Sequence, residues 1–194
     1  MTLLKNLSVL LLTLSSVVFA VPNSIVAIVN DTVITMDDIN ARINKNATTK
    51  QKIALIEQEI DLELQKEKIQ ALEIKPKSEI INIALESIAA QNGLTLTQLR
   101  TDNQFDQIVK IVIQDFSLKG LKQLVLQQSN ITVTVAEIDN EISNNPNKID
   151  GAMTKAHLAD IKAQLIYNKQ NAFFQSWVKD LRKNAYIEIF KDKL

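Results

Sequence analysis

Apolar residues recur along this chain with two periods, and the switches between them divide it into elements. Ser24-Ile25-Val26-Ala27-Ile28-Val29 is β-rich and apolar on both faces. Asn30-Asp31 supplies turn residues and Thr32-Val33-Ile34-Thr35 returns, so the pattern predicts a hairpin. Two strands are marginal alone and call for a third. The period then lengthens to that of helices. Thr35 and Asp38 form a capping-box pattern ahead of a short helix ending near Lys45, with Ile39 and Ile43 on one side. After a polar break at 46–49, a helix from about Lys50 to Leu72 turns Ile53, Ile56, Ile60 and Leu64 inward and leaves Lys and Glu on a solvated face. Pro76 stops it and suits the first turn of the next helix. There Ile81, Ala84 and Ile88 recur, and Gly93 fits the left-handed position past the end.

Thr95 and Gln98 spell a second capping box, with Leu94 and Leu99 placed as a hydrophobic staple, before a short helix from Leu96 to about Thr101. A long helix follows, roughly Asn103 to Gln128, with Phe105, Val109, Val112 and Phe116 on one face. Gly120 continues that face and is expected to admit a neighbouring backbone. Ile131 to Val135 reads as briefly extended, and Thr134 with Glu137 caps a short helix, Ala136 to about Ser143. Asn144 to Gly151 is the clearest linker. From Met153 to Lys183 neither Pro nor Gly interrupts, and Leu158, Ile161, Leu165, Ile166, Phe173, Trp177 and Leu181 mark the stripe of one long helix. Ala185-Tyr186-Ile187-Glu188-Ile189-Phe190 then alternates, as a strand does. An unpaired terminal strand leaves bare N–H and C=O groups, and the first strand is its best partner. The pattern predicts a mainly α protein whose ends meet in a small antiparallel sheet.

Residues 1–20 stand outside that fold. Lys5, the apolar run Leu7 to Phe19, and small residues at Val18 and Ala20 read as a secretory signal peptide, with an uncleaved anchor as the alternative. No later run is apolar for long enough to span a bilayer, so no stable membrane insertion is expected after cleavage.

Composition then removes several kinds of chemistry. Lys and Arg (22) balance Asp and Glu (22) without a basic stripe, which argues against nucleic acid as a partner. The absence of cysteine excludes disulfides, thiol chemistry and the usual structural zinc sites. His157 is the single histidine, and there is no phosphate loop, nucleophile elbow or two-His spacing. No catalytic residue, metal or cofactor is expected. Phe173, Phe174 and Trp177 cluster near the end of the last helix. Adjacent helical residues point about 100° apart, so Phe173 and Phe174 do not share one narrow core. Phe173 and Trp177 are expected inside, leaving Phe174 to line a groove suited to an extended, unfolded polypeptide.

Three segments carry a resemblance: Val26 to Thr35, Ile88 to Arg100 and Ile131 to Asp139. With the tail from Phe174 to Phe190, their order and spacing resemble the SurA family of periplasmic chaperones. The resemblance implies a multi-helix SurA-type core in which the helix and strand of 153–194 complete a helical domain over 21–143. It further implies ATP-independent binding of unfolded outer-membrane proteins in the periplasm. Many members insert parvulin-type prolyl isomerase domains between the two parts. Residues 144–152 stand in their place here and are too few for a domain, which needs at least ~50 residues, so no isomerase activity is expected. The client groove is expected between the 78–128 helices and the C-terminal helix, lined by Leu94, Leu96, Phe105, Phe116, Phe173, Phe174 and Trp177. Three alternatives remain: an envelope adaptor for one folded partner, a disfavoured prolyl isomerase-type enzyme, and a homodimer whose chains exchange tails.

Overall fold

The computed structural model describes residues 24–44, 46–144 and 155–194; the expected signal peptide and most of the expected linker lie outside them. Strands β1 (Ile25–Val29) and β2 (Thr32–Thr35) form the hairpin, and β3 (Ile187–Ile189) pairs with the other edge of β1. Both pairings are antiparallel, with Ala27 opposite Ile189 and Val29 opposite Ile187. The Phe190 amide donates to the Val26 carbonyl at 2.9 Å, so the expected meeting of the two ends is realised in backbone hydrogen bonds. At the hairpin turn only Asn30 of the expected pair takes a positive φ, 49°. Its side chain accepts from the Tyr186 amide at 2.9 Å and donates to Glu67 at 2.7 Å. One residue thereby joins the turn, the start of β3 and the second helix.

Four helices follow the hairpin first: α1 (Met36–Asn40), α2 (Thr49–Ala71), α3 (Ser78–Gln91) and α4 (Leu96–Arg100). The capping boxes at Thr35–Asp38 and Thr95–Gln98 both form, and a further one, Thr48–Gln51, lies in what the pattern marks only as a polar break. The bonds from Thr35 hold the Asp38 carboxyl below the usual carboxylate range. Helix α1 stops short of the expected end near Lys45; Arg42, just beyond it, turns its guanidinium onto Glu59 of α2. Of the expected staple pair, Leu99 is buried and Leu94 is 38% exposed. Pro76 precedes the N-cap Lys77 instead of entering the first turn of α3.

The end of α2 is closed by a six-to-one bond from the Ile74 amide to the Ile69 carbonyl (3.0 Å) and a five-to-two bond from Glu73 to Gln70 (3.1 Å). Glu73 occupies the left-handed position, φ 52°, where Gly93 sits at the end of α3 with φ 70°. A side chain there costs about 1–2 kcal/mol, whereas glycine costs about 0.5–1 kcal/mol in chain entropy. Glu73→Gly is therefore expected to stabilise the protein by about 0.5 kcal/mol, read as a higher urea midpoint at unchanged slope.

Helices α5 (Phe105–Gln127), α6 (Val135–Asn144) and α7 (Lys155–Lys183) complete the body. The buried side chains form three clusters. The first packs the sheet on α1 and α2 through Val26, Val29, Ile34, Ile39, Ile56 and Ile60. The second joins α3, α4 and the first half of α5 around Leu85, Leu99 and Val112, with Phe105 and Phe116 at its margin. The third sets Leu121 and Val125 of α5 against Phe174 and Val178 of α7, with Ile69, Ile74 and Trp177 around them. Arg182 fastens α7 to α2 through Glu57 and through Asp61 at 2.6 Å.

Two sequence expectations are reversed in this body. Phe174 is 8% exposed and Phe173 39%, the opposite of the predicted assignment. At 100° per residue, Phe174, Val178 and Leu181 fall within about 60° of one another, and Phe173 lies about 100° from Phe174. Val178 sets the phase of the stripe. At Gly120 the close neighbour is a side chain and not a backbone: an added Cβ would meet Ile74 Cγ2 at 3.2 Å.

Residues 131–134 form neither helix nor strand, and α6 then docks on α7 through Lys169. The Lys169 ammonium reaches Glu137 at 2.5 Å and the Thr132 carbonyl at 2.7 Å. The Lys169 bond, with those from the Thr134 amide and hydroxyl, lowers the Glu137 carboxyl from 4.5 to about 2. A depressed carboxylate stabilises the folded form fully above its unfolded value and loses that contribution as pH falls through the folded value. Docking of α6 is expected to loosen between about pH 4.5 and 2. Because the pair is exposed, salt should produce a similar loosening at neutral pH. Amide exchange across 135–144 checks both.

Candidate functional site

Helix α5 changes the face it buries. Its first half turns Phe105, Val109, Val112 and Phe116 toward α3, and its second half turns Leu121 and Val125 toward α7. Upstream along the second stripe, Lys110, Ile113, Gln114 and Ser117 recur at helical spacing. Lys66, Ile69, Gln70 and Glu73 form the corresponding stripe of α2. Between the two stripes lies an open cleft of about 750 Å³, closed at one end by Ile74, Lys75 and Pro76 and flanked by Ile81 of α3. That volume falls within the range of ligand sites, roughly 300–1,000 Å³.

Both walls present lysine, isoleucine and glutamine at positions i, i+3 and i+4. The isoleucines, with Ile74 and Pro76, make the surface mainly apolar, and buried Ser117 lies at its base. Three lysines stand around it against one carboxylate, Glu73. Lys66 is paired with Glu63 at 2.7 Å; Lys75 and Lys110 have no ion-pair partner among the described residues. The carboxamides of Gln70 and Gln114 likewise make no hydrogen bond to the described residues. Such amides both donate and accept, which matches the free N–H and C=O groups of an extended peptide.

None of the seven residues expected to line a groove lines this cleft. Leu96, Phe105 and Phe116 pack on the second cluster, and Phe174 and Trp177 belong to the third, their rings stacked at 5.5 Å between centroids. Leu94 and Phe173 are exposed. Ile69 and Ile74 line the cleft and also pack against the third cluster, to which Phe174 belongs. The missed signal was the repeated Lys-x-x-Ile-Gln spacing, which reads as solvated helix surface until α2 and α5 are placed side by side. His157 is half-buried near the start of α7, and no group of three metal-ligating side chains occurs among the described residues. No helix among the described residues is long and apolar enough to cross a membrane.

The architecture, a helical body closed by a sheet of both chain ends, matches solved structures. One is described in work on the virulence factor PEB4 and the periplasmic protein Cj1289, "two structurally related SurA-like chaperones" of Campylobacter jejuni. The match covers 87% of this chain and 99% of that one, with TM-score 0.63 and 13% sequence identity. This chain therefore has a SurA-like fold. No protein-family model matches it, and comparison with curated proteins gives no significant match.

Proposed function

We propose that this protein is an ATP-independent holding chaperone of the periplasm. Its clients are unfolded polypeptides, with outer-membrane proteins in transit as the class, and its binding site is the cleft between α2 and α5. The observation that carries this reading is an open, mainly apolar cleft within a SurA-like fold. Unfolded chains present scattered apolar side chains together with unpaired backbone groups, and isoleucine walls bearing glutamine amides complement both. Export rests on the sequence of residues 1–20.

Holding needs no chemistry. Occupying an aggregation-prone strand keeps it from pairing with another. Release requires modest affinity; a micromolar Kd corresponds to about −8 kcal/mol. Residues 144–152 leave no room for an isomerase domain, so the reading includes no prolyl isomerase step. Light scattering with an urea-unfolded β-barrel protein tests the proposal. The chaperone should suppress aggregation on dilution at near-stoichiometric ratio, without nucleotide. Unchanged scattering at several-fold molar excess would overturn it.

A further inference from the structure

The lining of the cleft carries three lysines against one carboxylate, Glu73, although the chain as a whole is neutral. Glu63 occupies Lys66, but Lys75 at one end and Lys110 on the α5 wall have no carboxylate partner among the described residues. Between them lie Ile69, Ile74 and Ile113, with Gln70 and Gln114 beside them. We infer that the cleft selects extended segments in which apolar residues alternate with Asp or Glu, and discriminates against the same segments carrying Lys or Arg. This rests on the proposed chaperone reading and deepens it by naming the class of segment.

Alternation is what the geometry asks for. In an extended chain successive side chains point to opposite faces. One face then lies on the isoleucines while the other, with the backbone, reaches the rim. A carboxylate there meets Lys75 or Lys110; a client ammonium meets the same two lysines, with Glu73 alone in the lining to offset them. The contacts are solvent-exposed, so the selectivity is moderate and screened by salt.

Two fluorescent heptapeptides test this, identical in their apolar residues, one with Glu and one with Lys at the alternating positions. Anisotropy at about 50 mM salt should show the Glu peptide binding roughly tenfold tighter. The gap should narrow strongly at about 0.5 M salt, where the screening length is only a few ångströms. Lys75→Gln/Lys110→Gln should abolish the preference, and Lys75→Glu/Lys110→Glu should reverse it, both retaining the wild-type circular dichroism spectrum. Equal affinity for the two peptides, no binding of either, or a preference that survives both double variants would overturn the inference. The light-scattering assay, run in parallel on the wild type, separates the readings. Suppression without charge preference leaves the chaperone proposal standing and removes this one, whereas absent suppression removes the chaperone reading itself.

Discussion

Deletion of Ala185 to Leu194 is expected to remove most of this protein's stability. Strand β1 lies in the middle of the sheet, and the deletion turns one of its sides into an open edge. The Val26 carbonyl loses Phe190, and the turn at Asn30 loses both bonds to Tyr186. Ala185, Ile187, Ile189 and Leu194 all pack on the first cluster, whose Val26, Val29, Ile39, Ile56 and Ile60 are fully buried. The three larger aliphatic residues are half-buried, and losing each costs about 1 kcal/mol, with a similar amount from the unmade hydrogen bonds. The total, about 4–6 kcal/mol, is comparable to the whole stability of many domains, about 5–15 kcal/mol. Urea unfolding followed by circular dichroism should show a transition shifted to much lower denaturant or absent. A midpoint equal to that of the intact chain would mean that the sheet does not depend on its last strand.

The second large effect separates two adjacent phenylalanines. Phe174→Ala is expected to cost about 3–5 kcal/mol, the usual range for emptying a buried aromatic site. The ring packs with Leu121, Val125 and Val178, stacks on Trp177, and lies under the Lys122 ammonium at 5.7 Å. Phe173→Ala, one position away, should cost less than about 1 kcal/mol, because Phe173 belongs to none of the three clusters. Similar losses for the two variants would contradict the phase assigned to α7.

What the sequence disclosed follows from the range over which each signal acts. Capping boxes are local, and Thr35–Asp38, Thr95–Gln98 and Thr134–Glu137 form as the residues dictate. The pairing of chain ends is long-range, yet it was legible because an apolar terminal strand and a two-faced first strand leave each other as the natural partner. The inward face of α2 was legible as well, since Ile56, Ile60 and Leu64 repeat cleanly. The phase of α7 was not. Phe173 and Phe174 are chemically identical neighbours, and only the burial of Val178 distinguishes their faces. The cleft was hidden for another reason. Its lysines, glutamines and carboxylate have the composition of ordinary helix surface. Their meaning depends on the gap between α2 and α5, which no local pattern encodes.

Site-specific photo-crosslinking tests the central claim most directly. A photoreactive phenylalanine analogue is placed at Ile113, within the cleft, or at Phe173, outside the clusters. Each labelled protein is mixed with an unfolded β-barrel client and illuminated. Covalent client adducts from position 113, with few or none from position 173, are the predicted result. Adducts from position 173 with none from position 113 would place the client elsewhere and contradict the account.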